Sequence, residues 1–149
     1  MKEVNVKTEI VISAPVEKVS AYASNPDNAP DWYVNIKSVE WKTSKPLGIG
    51  SQIAFKAKFL GKELAYVYEI VELVPNQKLV MRTAQGPFPM ETTYIFEKIA
   101  EEKTRMILIN RGKPSGFSGL FAPFMASAMK KANSKDLLSI KQILEKQNA

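Results

Sequence analysis

Acid-base and nucleophilic chemistry usually starts from histidine or cysteine, and this chain of 149 residues contains neither. Their absence removes the usual general base, the usual metal ligand, the Ser-His-Asp arrangement, any thiolate nucleophile and any disulfide. What remains is a scatter of carboxylates, a few arginines and a set of hydroxyls. Arg82, Glu91 and Asn110 fall in strand-like segments, where a slip of one residue would turn each from interior to surface. For Arg82 and Glu91 an exposed cross-strand ion pair is the simpler expectation than a catalytic pair. Glu69 and Glu72 fall on opposite strand faces and form no carboxylate dyad. Asp27 and Asp31 lie in a turn, where aspartate commonly hydrogen-bonds its own backbone. Gly48-Ile49-Gly50 lacks a third glycine and precedes a strand, so it is not a dinucleotide fingerprint. No catalytic residue, metal ligand or cofactor is assigned from these patterns. Tyr66, Tyr68 and Arg82 are the residues through which an enzyme would have to work.

The elements that carry these residues are legible from periodicity. Val4, Val6, Thr8, Ile10 and Ile12 alternate with polar residues, which predicts a half-buried strand. Pro15 suits a first helical position, and Val16, Val19, Tyr22 and Ala23 give one apolar face, predicting a short helix over 15–24. Asn25-Pro26-Asp27 predicts a second helical turn that Pro30 ends. Six further strands follow, at 36–44, 51–60, 63–74, 78–84, 90–99 and 104–111. Gly61-Lys62 is a two-residue hairpin signal, and the switch of apolar parity between Ile70 and Val71 predicts a bulge or a bend.

The last third, from Phe117 to Glu145, is the only stretch long enough for a major helix. Its first half is apolar almost all round (Phe117, Leu120, Phe121, Phe124, Met125, Ala128, Met129) and so must be covered. Its second half is amphipathic, with Leu137, Ile140, Ile143 and Leu144 at helical spacing. Pro123 inside this pattern allows a bend. Consecutive strands with short turns predict an antiparallel meander, and the only cover for the long helix is that sheet. The fold class is therefore α+β, as one domain spanning 1–149.

The net charge is +6, with only three arginines among 21 basic residues. Nucleic-acid sites favour clustered basic residues and arginine forks; these lysines are scattered, so no nucleic-acid partner is expected. They do allow a transient contact with an anionic membrane. No apolar run reaches the ~18 residues of a membrane span. The charged, alternating start MKEVNVKTE does not read as a signal peptide, so a cytoplasmic location is expected.

Several motifs together resemble one superfamily. They are Ala14-Pro15-x-x-x-Val19 after the first strand, Asn25-Pro26 leading to Trp32, and Gly48-x-Gly50-Ser51. Further along come Tyr68-x-Ile70-x-Glu72-x-x-Pro75 into Leu79, Tyr94-x-Phe96-Glu97, Thr104-Arg105, and Leu137-x-x-Ile140-Lys141-x-x-Leu144-Glu145. The chain resembles the helix-grip superfamily of START lipid-transfer domains, the birch-pollen-allergen fold and polyketide cyclase/dehydrase-like proteins (SRPBCC). The resemblance implies a curved antiparallel sheet of about seven strands wrapped around a long C-terminal helix, with two short helices after the first strand. It also implies a deep apolar cavity between sheet and helix. The fold alone fixes no chemistry.

Within that expectation, the ligand-binding candidates are Trp32, Phe55, Phe59, Tyr66, Tyr68, Met81, Thr92, Tyr94, Phe96 and Leu108, with Met106 beside them. The helix adds Phe121, Met125, Ala128, Met129 and Ala132. Taken singly, each is more simply a core residue. As a set they combine aromatics, flexible methionines and hydroxyls, which is the composition of a ligand pocket. Phe88, Phe117 and Leu120, on glycine- and proline-containing segments, are the candidates for the cavity entrance. The leading expectation is a binder or carrier of a small hydrophobic molecule of lipid, isoprenoid or polyketide type. An enzyme of the polyketide cyclase kind comes second. An interaction module of the chaperone-activator kind comes third, and it requires a shallow cavity and an exposed apolar patch.

Overall fold

The computed structural model describes residues 3–59, 61–86, 89–113 and 122–148. Strand β1 (Val4–Ile12) is followed by helix α1 (Val16–Ala23), a 3-10 turn (Pro26–Asn28) and helix α2 (Ala29–Trp32). Strands β2 (Ile36–Trp41), β3 (Gln52–Phe59), β4 (Lys62–Val74), β5 (Lys78–Gln85), β6 (Met90–Ala100) and β7 (Lys103–Gly112) then run consecutively, and helix α3 (Ala122–Asn148) ends the chain. The seven strands form one sheet in the order β1-β7-β6-β5-β4-β3-β2, with every neighbouring pair antiparallel. Short turns make the meander from β2 to β7. The two short helices carry the chain from one edge strand to the other, so β1 pairs with β7 rather than β2. This is the helix-grip fold.

Alternation settles which side of each strand faces α3. Val4, Val6, Thr8 and Ile12 of β1 are buried, as the period of two requires. Val71 has no partner on β5: Ile70 pairs with Met81 and Glu72 with Val80. That extra residue is the bulge foreseen at the parity switch, and after it Leu73 packs against the core. The β3–β4 hairpin turns one residue earlier than Gly61-Lys62. Phe59 pairs with Lys62, and Gly61 takes φ +77°, which glycine adopts without a Cβ penalty.

Two proline expectations shift. Pro15 is the residue before α1, where its carbonyl accepts from the backbone N–H groups of Lys18 and Val19. Pro30 does not end the second helical segment but sits in the first turn of α2, where a missing N–H costs nothing. Asp27 does not cap its own turn, which Asn25 caps by accepting from the Asp27 N–H (3.0 Å). It accepts from Trp41 Nε1 (2.8 Å) and Lys45 Nζ (2.8 Å), joining the 3-10 turn to β2, and these two donors hold its carboxyl below the usual range.

The described part of α3 is 27 residues long, and Pro123 is its second described residue. Its two ends differ. Leu137, Ile140 and Leu144 are buried with Ile12, Val19 and Trp32 in the main core. Met125 and Met129 form a second cluster with Val4 and Val6. Phe124 is 61% exposed, so this end of the helix is not covered all round as its composition suggested.

Candidate ligand cavity

Between the sheet and the first half of α3 lies a cavity of about 140 Å³. An engineered cavity of about 150 Å³ admits a benzene ring. β3 supplies Phe55, Ala57 and Phe59; β4 supplies Leu64, Tyr66 and Tyr68. These are the inward residues of two paired strands, with Phe55 opposite Tyr66 and Ala57 opposite Leu64. Met81 of β5, Met90, Thr92 and Tyr94 of β6 and Asn110 of β7 complete the sheet side. Met125, Met129, Ala132, Asn133 and Asp136 of α3 form the opposite wall, and Tyr33, Asn35 and Ile36 close the end after α2. Gly86 lets β5 end against the Tyr66 ring: a Cβ there would sit 2.6 Å from Tyr66 Cδ1.

Ten of the expected ligand residues therefore meet on one cavity: Phe55, Phe59, Tyr66, Tyr68, Met81, Thr92, Tyr94, Met125, Met129 and Ala132. Trp32, Phe96 and Leu108 do not line it. Trp32 is fully buried behind the wall, its ring 4.0 Å from Tyr33 and 5.7 Å from Tyr94. Phe96 packs edge-on against Tyr94 at 6.4 Å, and Leu108 and Met106 are sealed in the core. Phe121, Phe88, Phe117 and Leu120 lie outside the described residues. Ala128 lines not the cavity but an outer groove of about 430 Å³, together with Val34, Phe124, Ser127, Lys131 and Lys135. Asn35, Phe59 and Ala132 belong to both walls, so groove and cavity adjoin. Behind Phe55, Met81 and Tyr94 a second void of about 20 Å³ holds space for little more than one water.

Polar groups sit in the cavity wall at two places. On the sheet, Thr92 Oγ1 donates to Asn110 Oδ1 (2.7 Å), so Asn110 points inward. At the other place the hydroxyls of Tyr33 and Tyr94 are 2.5 Å apart, one donating to the other. Asp136 stands near this pair and is only 3% exposed. Its Oδ1 accepts from the backbone N–H of Val34 (2.8 Å), which ties α3 to the segment before β2. Burial pushes the Asp136 carboxyl up to about 7, with the Val34 N–H working the other way. Burial likewise raises Tyr33 and Tyr94 well above the ordinary phenol range and Tyr68 to about 12, so all three phenols stay neutral. Asn133, 6% exposed, has an amide nitrogen buried with no hydrogen-bond partner; Trp32 Nε1 is also buried and unpartnered.

Arg82 is not in the cavity. Its guanidinium bonds Glu91 at 2.6 Å across β5 and β6, on the outer face, as the simpler reading expected. Asn133 and Asp136 were missed, yet a signal for them exists. They follow Met129 by four and seven residues and precede Ile140 by seven and four, so they lie on the buried stripe of α3. Two polar residues on an apolar stripe mark either a satisfied core pair or a site.

Among the described residues no group of histidine, cysteine, aspartate or glutamate side chains could hold a metal ion, and no helix is long and apolar enough to cross a membrane. The structure is similar to a START superfamily protein from Mycobacterium smegmatis, with TM-score 0.83 and 14% identity over 96% of this chain and 98% of that one. It is also similar to a Thermus thermophilus protein, with TM-score 0.84 and 20% identity over 97% and 99%. A third is the Zhui aromatase/cyclase of a Streptomyces species, with TM-score 0.83 and 13% identity over 99% and 97%. Such identities speak for the fold alone. No curated protein matches the sequence. The family described as polyketide cyclase / dehydrase and lipid transport matches residues 3–145, nearly the whole chain, and the present chain belongs to that family.

Proposed function

We propose that this protein binds or carries a small, largely apolar molecule, of lipid, isoprenoid or polyketide type, in the cavity between sheet and α3. The observation that carries this reading is a wall of aromatic and methionine side chains that leaves room for a ring and ends in incompletely satisfied polar groups. A core built only for stability would close that space, since an unfilled void forfeits contacts on one side. The family's description as polyketide cyclase / dehydrase and lipid transport, beside an aromatase/cyclase and a START superfamily protein among the similar structures, supports an apolar ligand of this kind. The adjoining groove, with exposed Phe124 beside Lys131 and Lys135, offers an apolar and cationic surface for a transient contact with an anionic membrane.

An enzyme is the second reading, and Asp136 is what favours it. A carboxyl that titrates near 7 beside the wall of a cavity can hold or take a proton at neutral pH. The interaction-module reading is less well supported. Among the described residues, exposed Val34 and Phe124 share the outer groove, whereas the other exposed large hydrophobics, Val11, Ile49, Val74, Ile99 and Leu138, do not line it.

Native mass spectrometry of the protein isolated from its own host, followed by organic extraction, tests the binding reading. A stoichiometric apolar adduct supports it. Ala132→Leu, which fills the cavity from α3, should abolish the adduct while costing no more than the roughly 1–3 kcal/mol of adding methylenes to a packed core. An adduct that survives this filling would count against the cavity.

A further inference from the structure

The cavity wall is electrostatically one-sided. Among its described lining residues Asp136 is the one acid, and there is no lysine or arginine. Lys131 and Lys135 line the adjoining outer groove instead. A carboxylate or phosphate brought inside would lose its water without gaining a counter-ion. A cation would meet the opposite situation. Asp136 spends Oδ1 on the Val34 N–H, and its Oδ2 makes no hydrogen bond among the described residues. One helical turn away, Asn133 carries its buried, unpartnered amide on the same face of α3. The electron-rich rings of Tyr33 and Tyr94 stand close enough to Asp136 to feel its charge.

We infer that the polar end of the cavity receives a protonated amine, with Asp136 as its counter-ion, the Tyr33 and Tyr94 rings beside it and the Asn133 amide as a further polar contact, and that it rejects acids of the same size. This rests on the reading of the cavity as a ligand site and names the class of ligand. The ammonium group supplies the hydrogens that Asp136 Oδ2 lacks, in a setting where charge-assisted bonds and cation–π contacts are strong. The ligand body is aromatic or aliphatic and no larger than the cavity.

Calorimetric titration at about pH 8 tests this, because there the carboxyl is ionised and a simple amine is still protonated. Three probes share one body: phenethylamine, phenethyl alcohol and phenylacetate. The amine should bind about tenfold or more tighter than the alcohol, and phenylacetate should not bind. Asp136→Asn keeps an oxygen for the Val34 N–H. It should remove the advantage of the amine while leaving the alcohol unchanged. Equal binding of amine, alcohol and acid overturns the inference and leaves the cavity standing. So does an amine advantage that survives Asp136→Asn. If none of the three binds, this inference falls, and the search for an apolar adduct by native mass spectrometry decides the cavity reading separately.

Discussion

The two halves of α3 face the same sheet and are built for different ends. The C-terminal half presents branched aliphatics. Leu137, Ile140 and Leu144 interlock with Ile12, Val19 and Trp32, and none of them is more than marginally exposed. That end is also latched from outside. Glu145 Oε2 accepts from the backbone N–H of Ser13 (2.8 Å) and from Lys141 Nζ, which also donates to the Val11 carbonyl (3.0 Å). The N-terminal half presents methionines, a small residue and two polar ones, and the space in front of Met125, Met129, Ala132, Asn133 and Asp136 is not filled. The difference shows how one helix divides its work. Stiff, branched side chains with few rotamers close one end and fix the helix. Flexible and small ones at the other end tolerate a void that a ligand can occupy.

The sharpest way to break this contrast is to truncate each half in turn. Ile140→Ala opens a cavity in a sealed core and should cost about 2–5 kcal/mol. Met129→Ala should fall at or below about 2 kcal/mol, because part of its surface already faces empty space. Denaturant unfolding of both variants checks the ranking, and equal costs would mean that both halves are core.

The second test uses charge. An unfolded aspartate ionises near 3.8, whereas the Asp136 carboxyl in the fold ionises near 7. Between those values the folded state keeps a proton that the unfolded chain has released. The stability contributed by the protonated group is therefore complete below the unfolded value and is lost as pH rises through 7. Each pH unit in that window removes about 1.4 kcal/mol, or roughly 4 kcal/mol in all. Asp136→Asn should be flat over the same window, so the difference between variant and parent isolates this group from the surface carboxylates. Unfolding free energies measured at several pH values decide it. Parallel curves would mean that the wall around Asp136 is wetter than its burial indicates.

Smaller effects sharpen the picture. Tyr33→Phe removes one hydroxyl of the Tyr33–Tyr94 pair and should cost about 1 kcal/mol, with thermal unfolding as the readout. Arg82→Gln breaks an ion pair whose arginine side chain is 62% exposed, and should change stability by less than about 1 kcal/mol and probe binding not at all. A loss of binding in Arg82→Gln would bring the outer face of the sheet into the function.

Much of this molecule is legible in its sequence because the signals are periodic and local. Alternation named most of the strands, the parity switch after Ile70 marked a bulge or bend, and the spacing of Leu137, Ile140 and Leu144 named the buried face of the long helix. A period of two or 3.6 follows from backbone geometry and survives any tertiary arrangement. The inward set on β3 and β4 was legible for the same reason. What the sequence could not decide is which inward residues line space and which fill it. Phe55 and Tyr94 reach the cavity whereas Trp32, Phe96 and Leu108 are sealed behind or beside it, although all are large and apolar. That choice depends on how far the sheet curls from α3 at each level, a distance set by packing across elements remote in the chain. Asp136 gains its raised ionisation and its Val34 partner only when α3 closes over the segment before β2. Burial and long-range contact decide a group's chemistry, and neither is a property of its neighbours in sequence.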